Sequence, residues 1–146
     1  MNIPIHRIDK NFPLPEYHSA GAVAFDMYAR VDAVVAPRGI ARLPSNLIIG
    51  VPTGHVLIIA PRSSTAAKKG LVFPNSAGII DQDYHGPTDE IQIQVMNVTD
   101  APVEIKAGER IAQGMIVPVA RATWIESDEF LGANRGGFGS TGGYHT

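Results

Sequence analysis

The sequence predicts an all-β domain, and three observations lead to this fold class. Glycine and proline, 15 and 11 of the 146 residues, recur every few positions. Between them lie short runs rich in valine and isoleucine. This pattern is typical of many short strands joined by turns, as in a β-sandwich or barrel. Only one short segment has helix signals, and the length fits one domain around one core.

Composition excludes several classes of protein. Hydrophobic residues make up 45% of the chain and charged residues 18%, as in globular proteins. The net charge of -2, without a basic block, argues against a large nucleic-acid footprint. The absence of cysteine removes disulfides, thiolate nucleophiles and cysteine-ligated zinc. We see neither a signal-peptide pattern nor an apolar run of membrane-spanning length, so a cytoplasmic protein is expected.

Strand predictions rest on periodicity. Residues 91–96 alternate between apolar and polar or flexible side chains, which predicts one buried and one open face. Residues 57–60 are apolar on both faces, which predicts a central strand. The predicted strands span residues 3–8, 23–28, 33–36, 39–43, 47–51, 55–61, 91–98, 103–105 and 110–120.

One helix is predicted over residues 63–70. It has a serine at the N-cap, alanines, two lysines in the last turn and Gly70 at its end. Since it is only about two turns long, it depends on packing against the sheets.

The C-terminal stretch is rich in glycine, serine, threonine and asparagine and cannot bury enough apolar area to fold by itself. We therefore predict a β domain over residues 1–131 and a flexible arm over 132–146. Glycine-rich backbone amides can wrap a phosphate, although a plain disordered tail is the alternative. The G-x-G-x-x-G pattern at 137–142 is no dinucleotide site, because only four residues follow it.

Polar side chains follow the apolar pair Ile79 and Ile80. If the chain stays extended, Asp81 and Asp83 share one face while Tyr84 lies on the other. An acidic β-turn is the alternative interpretation. A calcium loop is excluded, because its twelfth position would be a glutamine and its flanks are predicted strands.

Residues 61–64, Pro-Arg-Ser-Ser, lie where a central strand meets the predicted helix. An arginine, two hydroxyls and free backbone amides there suit an anion. The alternative is a capping serine beside a surface arginine. Residues 110–113 alone are typical of a strand with one uncharged polar residue.

Together these segments resemble the trimeric dUTPases along nearly the whole chain. Five motifs occur in family order, and the set is far more specific than any one of them. They lie at residues 24–28 (Ala-Phe-Asp-Met-Tyr), 61–64, 78–86, 108–113 and 135–142. The resemblance implies a jelly-roll-like domain that forms a homotrimer, with three active sites built from neighbouring subunits. It also implies hydrolysis of dUTP to dUMP and pyrophosphate with Mg²⁺.

The resemblance also implies residue roles. Asp81 would be the general base that activates water, and Asp26 would act on the metal indirectly, through its water shell. Tyr84 would pack against the deoxyribose and exclude a 2′-hydroxyl. Uracil would meet Asn75 and the backbone around Ile79 and Ile80. Phosphate contacts would come from Arg62, Ser63, Ser64 and Gln113, and the closing arm would supply Arg135, Phe138, Ser140 and Thr141.

Three departures from the family pattern keep alternatives open. The arm is two residues shorter between Arg135 and Phe138, the link over residues 85–91 is longer, and Ser64 replaces a glycine, as in dCTP deaminases. A deaminase would need a glutamate at the position of Gln94. A non-catalytic trimeric binding or regulatory module is the third hypothesis. Products discriminate them: dUMP with pyrophosphate, ammonia from dCTP, or neither.

Overall fold

The computed structural model describes residues 1–137, and in this range it is an all-β, jelly-roll-like domain with one short helix. Every strand pair is antiparallel. The elements in chain order are β1 (Ile5–Arg7), β2 (Phe25–Tyr28), β3 (Ala33–Val35), β4 (Ile40–Pro44), β5 (Leu47–Ile49), β6 (His55–Pro61), α1 (Thr65–Lys69), β7 (Leu71–Val72), β8 (Gly78–Ile80), β9 (Gln92–Asn97), β10 (Val103–Ile105) and β11 (Arg110–Pro118).

The strands form two larger sheets and two ribbons. One sheet has the order β2-β11-β6-β8 and the other has the order β4-β9-β7, while β1 pairs with β5 and β10 with β3. β6 lies between two neighbours, as its two apolar faces predict. In β9, Ile93 and Val95 are buried while Gln92 is exposed, so the predicted alternation is confirmed.

The core is built from the inward faces of both larger sheets. Met27, Leu57 and Ile59 from one sheet and Ile93 and Val95 from the other are at most 1% exposed. Burying a side chain of this size contributes about 1.5–3 kcal/mol. The core therefore holds the strand ends, where the polar motif residues lie, in fixed positions.

A glycine in β11 allows the central sheet to pack tightly. A Cβ atom at Gly114 would lie 2.7 Å from the Phe25 ring, too close for any side chain. Gly114 pairs with Phe25 in the register, and the preceding pair is Gln113 with Asp26. The glycine thus lets an aromatic ring cross β11 beside two predicted site residues.

Several predicted bounds differ from the structure. Most predicted strands are trimmed at their ends, and β7 and β8 were not among the predicted strands. The predicted serine at the N-cap is confirmed in position: Ser64 occupies the N-cap with φ -93° and ψ -7°, although its side chain makes no capping hydrogen bond. Gly70 ends the helix with φ 62°, as predicted.

The chain after the last strand differs from the domain before it. Residues 119–137 contain no helix or strand, and their side chains are almost all exposed. Within the described residues, no helix is long and apolar enough to cross a membrane.

Candidate active site

Asp26 organises one group of polar side chains, which we name the anion pole (Asp26, Arg62, Arg110 and Gln113, with Ser63 and Ser64). The residue is 8% exposed. Arg62 Nε donates to Asp26 Oδ1 at 2.8 Å, and Arg110 Nη1 donates to Oδ2 at 3.1 Å. His18 Nε2 also lies 3.1 Å from Oδ2. One carboxylate therefore orients two guanidinium groups and an imidazole.

Three strands bring the anion pole together. Asp26 lies on β2, Arg110 and Gln113 lie on β11, and Arg62 follows the last residue of β6. Gln113 Nε2 donates to the Pro61 carbonyl at 3.0 Å, which ties β11 to the end of β6. Ser63 and Ser64 follow directly, with Ser63 exposed.

The anion pole carries a net positive charge, because two arginines share one aspartate. Part of each guanidinium remains open to solvent: the Arg62 side chain is 31% exposed and the Arg110 side chain 46%. Arginine presents several donors in a fork that matches phosphate oxygens. The pole can therefore bind an anion with donors whose orientation is already set.

Sequence analysis missed Arg110, a member of the anion pole, and His18, which lies beside Asp26. Arg110 lies inside the motif at 108–113, but no role was given to it. Its position depends on a register shift in the pairing of β11 with β2, between Arg110 and Ala112. His18 lies before β2 in a segment without strand or helix. The spacing of residues along the sequence does not predict the contact of either residue with Asp26.

A second group, which we name the carboxylate pole (Asp81, Asp83 and Tyr84, with Ile79 and Ile80), lies at the end of β8. These residues line a cavity of about 230 Å³. Here the chain does not stay extended, and the alternative of a turn is confirmed: the strand ends at Ile80 and the Tyr84 amide donates to the Asp81 carbonyl at 3.3 Å. The turn places Asp81 and Tyr84 on the same cavity.

A larger cavity of about 520 Å³ adjoins the carboxylate pole and is also lined by Asp81 and Asp83, together with His55 and Arg121. Gln82 Nε2 donates to the His55 carbonyl at 3.1 Å, which anchors the turn to the start of β6. Within residues 1–137, the carboxylate of Asp81 has no ion-pair or hydrogen-bond partner. Its oxygens are free to accept a proton from a bound water.

Asn75 lies apart from both cavities, in the turn between β7 and β8. Its Nδ2 donates to the Ala77 carbonyl at 3.0 Å and closes the turn, in which Ser76 has φ 63°. The side chain is exposed, and its oxygen stays available as an acceptor. Ile79 is 60% exposed, while Ile80 packs against the core.

The register of β6 separates the two poles. Leu57 pairs with Ile80, so Asp81 lies level with the start of β6, whereas Arg62 follows the far end of the same strand. At about 3.3 Å per residue, five or six residues of strand separate the poles by roughly 15–20 Å. Within one chain, Asp81 therefore does not reach the side chains around Arg62.

The remaining predicted site residues lie in the C-terminal region. Arg135 is exposed. Phe138, Ser140 and Thr141 lie outside the described residues. Across the described part of the chain, no group of three or more histidines and carboxylates is arranged to hold a metal ion directly.

Comparisons with known proteins agree with this architecture. The family model described as dUTPase matches residues 10–142. The deoxyuridine 5'-triphosphate nucleotidohydrolase of Dictyoglomus turgidum is 36% identical over 148 residues, covering 97% of this chain and 99% of that protein. The protein of the same name from Wolbachia pipientis wMel is 40% identical over 139 residues, covering 91% and 89%.

Solved structures give the same result. The crystal structure of dUTPase from Streptococcus mutans superposes with a TM-score of 0.76 at 31% identity, covering 82% of this chain and 98% of that one. The dUTPase of Staphylococcus bacteriophage 80alpha superposes with a TM-score of 0.85 over 97% and 98% of the two chains. At 24% identity, the second likeness concerns the fold alone.

Proposed function

This chain belongs to the dUTPase family, and from that premise we propose that it hydrolyses dUTP to dUMP and pyrophosphate with Asp81 as the general base. The observation that carries the proposal is the contrast between the poles. A carboxylate with no ion-pair or hydrogen-bond partner among residues 1–137 lines a cavity at one end of β6, and a cationic cluster lies at the other end. Phosphoanhydride hydrolysis needs a positioned water, a base and charge neutralisation.

In the proposed reaction, a water oxygen attacks the α-phosphorus while Asp81 accepts its proton. The bond between the α-phosphorus and the oxygen bridging to the β-phosphate breaks, and that oxygen leaves with pyrophosphate. Asp81 suits this role because its carboxylate is exposed and has no competing partner within the described chain. A positioned base of this kind typically contributes about 10²–10⁴-fold in rate.

The anion pole would bind the triphosphate. Arg62, Ser63, Ser64 and Gln113 are the family phosphate contacts, and we add Arg110 because it shares Asp26 with Arg62. Donors already oriented in the free protein need little reorganisation when negative charge develops. Asp26 thus acts through the two arginines as well as through the metal.

Mg²⁺ is the proposed cofactor, and the residues present fit an indirect site. A carboxylate has about four acceptor positions. Arg62 and Arg110 occupy two of them on Asp26, which leaves room for a water of the metal's hydration shell. Two neighbouring arginines disfavour direct ligation. When bound through the phosphates, Mg²⁺ supplies charge neutralisation.

Selectivity would arise at the carboxylate pole. Tyr84 would pack against the deoxyribose, and a ring in that place leaves no room for a 2′-hydroxyl. The backbone of Ile79 and Ile80 and the free oxygen of Asn75 would hydrogen-bond uracil. A narrow hairpin excludes the thymine methyl sterically, and cytosine presents the wrong donor pattern.

The separation of the poles supports shared active sites. Since Asp81 and Arg62 of one chain lie roughly 15–20 Å apart, a complete site takes its two poles from two copies. We propose the homotrimer of the family, with a β domain over residues 1–131 and an arm over 132–146. The arm would close over a neighbour's site through Arg135, Phe138, Ser140 and Thr141. The cytoplasmic location stays a prediction that cell fractionation can check.

A turnover assay tests the proposed function. Purified protein is given dUTP, dCTP or UTP with Mg²⁺, and parallel reactions contain a chelator. We expect dUMP and pyrophosphate from dUTP, much less product from UTP, and no ammonia from dCTP. Ammonia from dCTP would instead support the deaminase. The absence of any product, despite nucleotide binding, would support the binding module.

A further inference from the structure

Glu90 lies near the end of the long link over residues 85–91 that follows Tyr84. Its carboxylate accepts three hydrogen bonds from two residues. Arg30 donates to it through both Nε, at 2.8 Å, and Nη2, at 2.9 Å. The backbone amide of Asn46 donates to Oε1 at 2.7 Å. The Glu90 side chain is only 13% exposed. Such a forked, charge-assisted pair is among the stronger hydrogen-bonded contacts in proteins.

Both partners of Glu90 are fixed by the fold. The Arg30 amide donates to the Pro44 carbonyl at 2.8 Å, and the hydrogen bond to Glu90 raises the pKa of Arg30, so the guanidinium stays charged. Asn46 is 1% exposed and exchanges two hydrogen bonds with the Asp9 backbone, at 2.6 and 2.9 Å. Glu90 is therefore anchored to rigid parts of the domain.

The anchored residue carries the acceptor for Tyr84. The Glu90 carbonyl oxygen lies 3.4 Å from the Tyr84 hydroxyl and also accepts Gln92 Nε2 at 3.2 Å. The next residue, Ile91, is bonded on both sides, because its amide donates to Leu47 and its carbonyl accepts from Ser45. The Tyr84 hydroxyl therefore contacts a backbone segment that hydrogen bonds hold in place.

We propose that Glu90, paired with Arg30, is a positioning residue that holds the Tyr84 ring in place for sugar discrimination. This inference rests on the proposed function, in which the ring meets the deoxyribose. Tyr84 is 37% exposed at the cavity, so its hydroxyl contact with Glu90 adds a restraint beyond packing against the cavity wall. A longer link also costs more conformational entropy to order, and the Glu90 contacts offset that cost.

The ratio of kcat/KM for dUTP to kcat/KM for UTP tests the proposal. Glu90→Gln keeps the shape and removes the charge, and we expect it to narrow the ratio by about tenfold, as for a small misplacement of a positioning group. Tyr84→Phe removes the hydroxyl and should narrow the ratio similarly. Because the two changes act through one contact, the double variant should narrow the ratio no further than either single variant.

Two further variants separate positioning from general stability. Arg30→Lys keeps the charge but loses the fork, so it should narrow the ratio as Glu90→Gln does. Asp100→Asn breaks the exposed Arg38–Asp100 pair, which is the matched control, and should leave the ratio unchanged. If Glu90→Gln and Arg30→Lys lower Tm while the ratio stays at the wild-type value, the proposal is overturned.

A spectroscopic readout keeps this inference separate from the proposed function. Fluorotyrosine labelling gives at most four fluorine signals, and Tyr84→Phe assigns one of them. We expect Glu90→Gln to shift or broaden the Tyr84 signal. If wild-type protein fails to turn over dUTP, the proposed function fails, while this signal still shows whether Glu90 holds the ring. An unchanged Tyr84 signal would overturn the positioning role.

Discussion

The two poles use the same side chain in opposite ways. Asp26 is 8% exposed and accepts hydrogen bonds from Arg62 and Arg110, and His18 Nε2 lies 3.1 Å from it. Asp81 is exposed at a turn and has no side-chain partner within residues 1–137. Surroundings therefore decide the role: an aspartate enclosed by cations organises them, and an aspartate left open can accept a proton.

Replacing the open carboxylate should have the largest effect. Asp81→Asn should lower kcat by about 100-fold or more, the usual scale for a positioned base. KM and Tm should stay close to wild type, because the exposed side chain supports no other group. Steady-state kinetics and thermal unfolding measure both quantities.

Asp83→Asn is the matched control, because Asp83 lines the same two cavities. We expect it to retain most of the wild-type kcat. Near-normal turnover by Asp81→Asn, or an equal loss in both variants, would show that the base has been placed on the wrong residue.

Mixing two inactive variants tests the separation of the poles. If each site takes its carboxylate pole from one copy and its anion pole from another, Asp81→Asn and Arg62→Ala subunits complement each other. Unfolding and refolding an equal mixture should restore about one quarter of wild-type activity, because random assembly pairs two intact poles at about that frequency. The two proteins refolded separately and then combined are the control. No recovery in the mixture would place each complete site within one chain.

β6 and β9 were predicted from a visible pattern, whereas the three-residue β10 was predicted with the correct bounds without one. β9 alternates over six residues and β6 carries a run that is apolar on both faces, and both were predicted. β7 has two residues and β8 has three, too few to show any period. Ser64 lies at the N-cap as predicted, but it adopts helical angles and makes no side-chain capping bond, whereas a capping residue typically has β-region angles.

The candidate site likewise has features that the sequence predicts and features that it does not. The motifs and their resemblance to the dUTPases identified Asp26, Arg62, Asp81 and Tyr84 as individual site residues. The contacts between these residues depend on pairing between distant strands and on a register shift in β11. The spacing of residues along the sequence predicts neither of these features. The shared cavity of Asp81 and Tyr84 depends on a turn, which is one of the two conformations that the sequence left open.

Neutralising the enclosed carboxylate should have a smaller effect on rate than removing the base, but a larger effect on stability. Asp26→Asn loses charge-assisted bonds to two arginines, so we expect the free energy of unfolding to fall by about 2 kcal/mol. With the arginines less well oriented, kcat/KM should fall about tenfold. Denaturant unfolding and kinetics check both effects. A variant as stable as wild type would mean that Asp26 does not organise the anion pole.

Removing the arm should have the smallest effect. Deleting residues 135–146 should leave a folded oligomer and lower kcat/KM by about fivefold, roughly what one stacked ring contributes. Size-exclusion chromatography and kinetics check this outcome. Full activity after truncation would refute the lid role while leaving the hydrolase assignment intact. Inserting two residues between Gly136 and Gly137 shows whether the short Arg135–Phe138 spacing is a handicap, in which case activity rises.

The position of β11 in the chain has a consequence for biosynthesis. Among residues 1–137, β11 is the last strand to be synthesised, yet it lies between β2 and β6, and Arg110 meets Asp26 across 84 residues of sequence. At about 5–20 residues per second, the ribosome needs roughly 4–17 seconds to make that stretch. During this interval β2 has no partner, and the Asp26 carboxylate lacks Arg110. Nascent chains stalled before β11 should therefore be readily cleaved by protease, and resistance should appear only after Pro118 has left the ribosome.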